Sequence, residues 1–162
     1  MCSRKQQGDS PTVYDLLPRN YHHLKVAGRL DKDSQGLVLL TDDGDTIFKL
    51  THPKFAKKKV YTVGLNKPLK KPDKQMIEDG IELEDGISKF QITSTKSQNS
   101  KTKNPKPNTY NVTMHEGRNR QIRRTFKALG YSVTYLERTQ FGPYLLDNLP
   151  SGQLKPLTPA SS

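Results

Sequence analysis

The sequence predicts an α+β domain with a mixed sheet. Short apolar runs with strand or helix periodicity are separated by polar stretches. Strands and helices also follow one another without strict β-α-β alternation, which disfavours a parallel doubly wound sheet. With 162 residues, the chain has room for one domain of ordinary size.

The first half of the chain predicts short elements. Prolines bound a short helix over 11–18, and Asp42 to Asp45 provide N-cap chemistry for a helix over 46–50. The run 36–41 is apolar enough for a strand buried on both faces. Strands are predicted over 25–31, 36–41 and 60–65.

The second half contains the clearest helix signal, over 72–80, where a proline starts the segment and a glycine ends it. A second helix is predicted over 119–129, and strands over 81–83, 87–92, 110–114 and 131–136. Residues 93–109 hold four lysines, no acid and no apolar side chain, which predicts a flexible basic surface loop. We place the domain at 1–157 and a polar tail at 158–162.

Composition narrows the class of protein. The net charge of +11 favours a polyanion partner. The single cysteine excludes an internal disulfide and a multi-cysteine metal site. The longest apolar run, 37–40, is far shorter than the ~20 residues that span a bilayer. We therefore expect a cytoplasmic protein without membrane association.

The segment 116–130 predicts an amphipathic helix with a strongly basic face. Arg120, Arg124 and Lys127 fall opposite the apolar face, and Arg123 falls on the border between the two. A solvated helix face usually mixes signs, whereas this one is basic throughout. Arginine also suits phosphate and base-edge contacts, so the helix predicts contact with RNA or DNA, between which composition does not choose.

The turn 28–37 carries Asp31 and Asp33 between two predicted strands. A calcium loop is disfavoured, because Gln35, Leu39 and Asp42 occupy positions where such a loop needs other ligands. Two interpretations remain open: a carboxylate nucleophile in a basic cleft, or aspartates that solvate an ordinary β-turn.

Three segments together resemble one family. Gly28–Gly44 resembles the signature G-R-L-D-x-x-[ST]-x-G-L-L-L-L-T-x-D-G of RsuA-type ribosomal RNA pseudouridine synthases. Lys59–Val63 resembles that family's K-x-Y-x-V strand, and Glu116–Arg124 its E-G-R-N-R-Q-[IV]-R-R block. The resemblance runs from about Ser10 to Leu157, with the motifs in the family's order. It implies the family's catalytic domain, with a mostly antiparallel sheet and flanking helices.

The resemblance implies a role for each matched residue. Asp31 corresponds to the aspartate that attacks the target nucleoside, Tyr61 to the tyrosine that packs on the base, and Arg123 to the basic partner of the aspartate. Ile122 corresponds to the apolar buttress of the site. Asp33 falls at a variable position and is left out of the catalytic set. RNA contacts are expected at Arg29, Arg118, Arg120 and Arg124.

The implied reaction converts a uridine of ribosomal RNA to pseudouridine without cofactor or metal. The turn over 31–35 and the segment 144–149 look most like members that modify large-subunit RNA. The alternative is a non-catalytic RNA-binding or ribosome-associated protein of the same fold. From the resemblance, we expect that the family's first strand and the S4-type RNA-binding domain of many members have no counterpart in this sequence. We expect a monomer with ribosomal RNA as its partner.

Overall fold

The structure is a computed structural model that describes residues 13–95 and 107–157. Its helices are α1 (Gly44–Thr51), α2 (Lys71–Asp79) and α3 (Gln121–Ala128). The strands in the first half are β1 (Lys25–Ala27), β2 (Gln35–Gly36), β3 (Leu39–Thr41) and β4 (Lys59–Leu65). The remaining strands are β5 (Ile81–Leu83), β6 (Gly86–Ser88), β7 (Gln91–Ser94), β8 (Thr109–Met114), β9 (Val133–Phe141) and β10 (Tyr144–Leu145).

The main sheet has the strand order β10-β9-β4-β8-β7, with β2 added beside β9. All of its pairs are antiparallel except β2 with β9, which is parallel. Two small antiparallel pairs, β1 with β3 and β5 with β6, complete the described sheets. The predicted α+β class with a mixed, mostly antiparallel sheet is confirmed.

The core consists of two apolar clusters. The larger one joins the inner face of the sheet to α2 and α3, with Phe126 and Ile77 fully buried at its centre. The smaller one lies around α1 and contains Ala27, Leu37, Leu50 and Phe141. The catalytic candidates lie at the junction between these clusters.

Two predicted strands are divided in the structure. The run 36–41 is split between β2 and β3, because β2 pairs with β9 whereas β3 pairs with β1. It is therefore not one strand buried on both faces, and Leu39 and Leu40 are only half-buried. The run 87–92 is split in the same way, since β6 pairs with β5 and β7 pairs with β8.

Other boundaries shift for local reasons. The predicted strand 25–31 ends at Ala27, where Gly28 takes a positive φ of 81° and turns the chain toward Asp31. Strand β9 runs to Phe141, beyond the predicted end, because it pairs with β4 along most of its length. Thr93 and Ser94 extend β7, and Thr109 begins β8. Residues 96–106 of the predicted basic loop and the tail 158–162 lie outside the described residues.

None of the helices within the described ranges combines the length and the apolar character that crossing a bilayer requires.

Candidate active site

A cavity of about 320 Å³ opens at the junction of the two apolar clusters. Its wall is formed by the turn after β1, the last residue of α1, β4, the end of β8, the segment that leads into α3, α3 itself and β9. Seven residues predicted from the sequence line it: Asp31, Tyr61, Arg123, Ile122, Arg29, Arg118 and Arg120. The eighth, Arg124, lies outside the cavity wall.

Asp31 lies half-buried in this wall. Its backbone carbonyl accepts a hydrogen bond from Ser34 N at 2.9 Å, which closes a tight turn. Within residues 13–95 and 107–157, its carboxylate accepts no hydrogen bond and forms no ion pair. The turn therefore presents an uncommitted carboxylate to a cavity whose other charged lining residues are all basic.

Tyr61 lies on β4 and is paired in register with Arg138 of β9. Burial raises the pKa of the Tyr61 hydroxyl, Arg138 lowers it by charge and hydrogen bonding, and the negative charge of Asp31 raises it. The net direction is upward, so the ring stays neutral at physiological pH. A neutral aromatic ring beside Asp31 is suited to packing on a base.

Arg123 forms its ion pair with Asp33, not with Asp31. The distance from Arg123 Nε to Asp33 Oδ2 is 3.5 Å, and Arg123 Nη2 donates to the Asp33 carbonyl oxygen at 2.7 Å. The predicted direct pairing of Arg123 with Asp31 is therefore wrong for this structure. Arg123 instead holds the turn on which Asp31 is located.

Arg120 reinforces the same turn from the start of α3. Both of its terminal nitrogens donate to the Asp33 carboxylate, at 2.9 and 2.8 Å. This hydrogen bond is the main reason that the pKa of Asp33 lies below its ordinary value of 3.8, although burial opposes it. Arg120 has a positive φ of 49° at the N-cap, so the backbone turns there before the helix begins.

Arg118 and Arg124 bind a second acid, Asp85, in the turn between β5 and β6. Arg124 donates to both Asp85 carboxylate oxygens, at 2.9 and 2.8 Å, and Arg118 Nη1 donates to Oδ1 at 2.9 Å. The basic face of α3 is therefore partly neutralised by acids distant in sequence. Reasoning from the helix alone missed both Asp33 and Asp85.

Arg138 is a buried arginine that sequence reasoning did not select. Its side chain is 2% exposed, and its guanidinium carbon lies 4.7 Å from the centre of the Phe141 ring. Nε donates to Leu37 O at 3.0 Å and Nη1 donates to Arg29 O at 3.2 Å. One side chain thus fixes both ends of the turn that carries Asp31.

Lys59 adds a second cation at the Phe141 ring, with Nζ 5.4 Å from the ring centre. Burial lowers the pKa of Lys59, the positive charge of Arg138 lowers it further, and Glu116 opposes this shift. The described part of the chain holds no cluster of three or more His, Cys, Asp or Glu residues suited to a metal ion.

A model of the RNA pseudouridylate synthase family matches residues 4–128, which is most of the chain. The match includes the turn with Asp31, the strand with Tyr61 and the helix with Arg123. The chain belongs to this family. The resemblance inferred from the three motifs is confirmed.

The relatives of this chain include proteins named for the large ribosomal subunit and proteins named for the small ribosomal subunit. Over 153 residues the chain is 35% identical to a ribosomal large subunit pseudouridine synthase B from Yersinia pestis, covering 94% of this chain and 46% of that protein. It is 38% identical over 147 residues to a protein of the same name from Bacillus subtilis (strain 168), covering 91% and 59%. A ribosomal small subunit pseudouridine synthase A from Haemophilus influenzae is 37% identical, with coverage of 98% and 66%.

The fold agrees with a solved structure described as a pseudouridylate synthase. The TM-score is 0.80 at 33% identity, and the match covers 93% of this chain and 64% of that one. The chain spans about half the length of the Yersinia relative and somewhat more of the Bacillus relative.

In this member of the RNA pseudouridylate synthase family, a buried polar network fixes the start of α3. Gln121 Nε2 donates to Ser88 Oγ at 3.1 Å and to Glu116 Oε1 at 2.7 Å. The Thr125 hydroxyl lies 2.7 Å from Ser88 Oγ and donates to Gln121 O. Ile122, adjacent to this network, is 5% exposed and contributes an apolar side chain to the cavity wall. It is the residue for which the resemblance implied the role of apolar buttress of the site.

Proposed function

We propose that the chain is the catalytic domain of a pseudouridine synthase that isomerises one uridine of ribosomal RNA, with large-subunit RNA as the substrate. The observation that carries this proposal is the uncommitted Asp31 carboxylate in a cationic cavity, beside the neutral Tyr61 ring. The names of the relatives support the reaction and the RNA class. The large-subunit assignment follows the turn and C-terminal motifs of the sequence.

The reaction is an isomerisation in which all atoms of the uridine are kept. Asp31 attacks the target nucleoside, and the bond between N1 of the base and the ribose breaks. The base turns, its C5 forms the new bond to the ribose, and Asp31 is released. C5 gives up its proton, N1 ends protonated, and no oxidant or reductant is needed. A carboxylate without a hydrogen-bond or ion-pair partner among the described residues is available for such an attack.

The other cavity residues supply binding and orientation. Tyr61 stacks on the target base, a contact typically worth ~1–3 kcal/mol. Arg123 and Arg138 hold the turn of Asp31 through Asp33 and through the carbonyls of Arg29 and Leu37. Such pre-organisation keeps the nucleophile in position before substrate arrives.

RNA contacts are proposed for the four arginines selected from the sequence. Arg29 is exposed at the cavity mouth, and Arg120 is exposed despite its pairing with Asp33. Arg118 and Arg124 exchange part of their contact with Asp85 for RNA phosphates. The enzyme acts as a cytoplasmic monomer without cofactor or metal, and light scattering on the purified chain tests the monomer.

Mapping of pseudouridines in ribosomal RNA from cells with and without this gene tests the proposal. We expect one uridine of large-subunit RNA to lose the modification when the gene is deleted, and to regain it when the gene is restored. Loss at a small-subunit position would correct the substrate. An unchanged map in both subunits would contradict the proposed function and favour a non-catalytic RNA-binding protein.

A further inference from the structure

An exposed aromatic cluster lies at the end of α1, outside the cavity. Phe48 on α1 and Phe55 in the following 3-10 turn have ring centres 5.6 Å apart, nearly perpendicular. His52 lies 4.8 Å from Phe48 and 6.5 Å from Phe55. Phe48 is 45% exposed and Phe55 is 38% exposed, so neither ring is used fully by the core.

Lys54 lies against this aromatic cluster, and further lysines flank it in the sequence. Lys54 Nζ lies 5.2 Å from the Phe48 ring centre and 5.0 Å from that of Phe55. The chain has no Asp or Glu between Asp45 and Asp73, and the aromatic cluster is flanked there by Lys49, Lys57 and Lys58. Exposed rings with lysines between them match the requirements of single-stranded nucleic acid, which offers bases to the rings and phosphates to the amines.

The chain segment that holds His52 and Phe55 is connected to the cavity wall at both of its ends. Thr51 precedes His52 and lines the cavity, as does Lys59 one residue beyond Lys58. The chain thus runs from the cavity wall to the aromatic cluster and back, which allows a nucleotide strand that enters the cavity to reach Phe48 and Phe55. The charge and this continuity favour RNA over an apolar protein partner.

We propose that Phe48, His52 and Phe55 form a second stacking platform, which binds an unpaired nucleotide that flanks the target uridine, with Lys54 at its phosphate. This inference rests on the proposed function for the identity of the RNA. It assigns a binding role to residues outside the catalytic set. Paired RNA keeps its bases stacked on each other, so the platform selects single-stranded segments.

Phe55 substitutions test the platform directly. The sequence contains no tryptophan, so Phe55→Trp introduces a single indole whose fluorescence reports stacking. The probes are an oligouridylate of about twelve nucleotides, within the site sizes of single-strand binders, a duplex of equal length, and heparin as a polyanion without bases. We expect the oligouridylate to quench the indole and the duplex and heparin to leave it nearly unchanged.

Affinity measurements complete the test. Phe55→Leu keeps apolar volume but removes the ring face, and we expect about tenfold weaker oligouridylate binding, as for loss of one base–aromatic stack. Heparin binding should stay unchanged in Phe55→Leu and weaken in Lys54→Ala. Lys71→Ala, at an exposed position at the start of α2, is the matched lysine control.

Several outcomes overturn the platform. These are an unquenched indole, or wild-type oligouridylate affinity in Phe55→Leu with an unchanged melting temperature. If Phe55→Leu is unfolded, the Phe55→Trp quenching decides alone. Failure of the proposed function is a separate result, since an unchanged pseudouridine map leaves these binding measurements as they are.

Discussion

Asp33 and Arg120 form a two-pronged ion pair, with Arg120 Nη1 donating to Asp33 Oδ1 at 2.9 Å and Nη2 to Oδ2 at 2.8 Å. The same carboxylate lies 3.5 Å from Arg123 Nε. The Asp33 carboxylate therefore interacts with two guanidinium groups in the cavity wall, where the phosphates of the proposed substrate would bind. RNA binding must compete with Asp33 for Arg120, whose side chain remains 45% exposed.

Asp33→Asn should strengthen binding to ribosomal RNA transcripts by several-fold. Removing the internal anion leaves Arg120 free to bind a phosphate, and each added phosphate contact steepens the dependence of log affinity on log salt by about one. Binding measured over a range of salt concentrations gives the slope. Asp45→Asn, at an exposed position in the first turn of α1, is the control for net charge. Equal slopes in the two variants would show that Arg120 does not gain a phosphate.

The pKa values of Asp33 and Asp85 predict a loss of stability in acid. Arginine hydrogen bonds hold both pKa values below 3.8, so the folded state binds these protons less readily than the unfolded state. The stabilisation is therefore present above pH 3.8 and disappears as the pH falls through the folded-state pKa values.

Urea unfolding of wild type and of the double variant Asp33→Asn/Asp85→Asn, between about pH 5 and pH 3, measures this effect. We expect the stability difference between the two proteins to shrink toward the acid end. A difference that stays constant with pH would mean that the two ion pairs contribute nothing that depends on ionisation.

Arg138→Lys should lower activity more than RNA affinity. Lysine keeps the charge but cannot reach Leu37 O and Arg29 O together, so the turn of Asp31 loses one or both of its anchors. We expect the free energy of unfolding to fall by about 1.5–3 kcal/mol, the range for hydrogen bonds to charged groups. Unfolding, RNA binding and pseudouridine formation are measured in parallel with Arg19→Lys, an exposed control. Equal losses of binding and activity would argue against positioning of Asp31.

Gly36→Ala should be far more destabilising than Gly44→Ala. A Cβ at Gly36 would lie 2.3 Å from Arg138 O, and φ is +112° there, whereas nothing lies within 4 Å of a Cβ at Gly44. Overpacking and backbone strain together predict that Gly36→Ala lowers the free energy of unfolding by about 3 kcal/mol or more. Gly44→Ala, in helix α1, should be neutral or stabilising by up to about 1 kcal/mol. Thermal unfolding compares them, and similar melting temperatures would show that β2 does not need its close approach to β9.

Local patterns in the sequence predicted local structure well. Pro72 and Gly80 correctly bounded α2 to within about one residue, and Asp43 caps α1 by accepting from Asp45 N at 3.2 Å. These signals work because the proline ring, the glycine and the cap act on the backbone within one or two turns. The motifs also placed Asp31, Tyr61 and Arg123 at one cavity.

Contacts between distant segments could not be read from such patterns. Asp33 and Asp85 neutralise α3 from turns far away in the chain, and no periodicity of the helix indicates them. The apolar run 36–41 contains no sign that Gly36 joins β9 while Leu39 joins β1. Arg138 offers one usable signal, a single arginine between buried Leu136 and Phe141, since a cation among core residues needs internal partners.

Pseudouridine formation by wild type and Asp31→Asn on ribosomal RNA transcripts tests the central claim most directly. Asparagine keeps the size of the side chain but removes the nucleophile, and the Asp31 carboxylate has no partner among residues 13–95 and 107–157 whose loss would disturb the fold. We predict pseudouridine from the wild type, none from Asp31→Asn, and similar RNA affinity for both. Equal pseudouridine yields from the two proteins would contradict the assignment of Asp31 as the nucleophile.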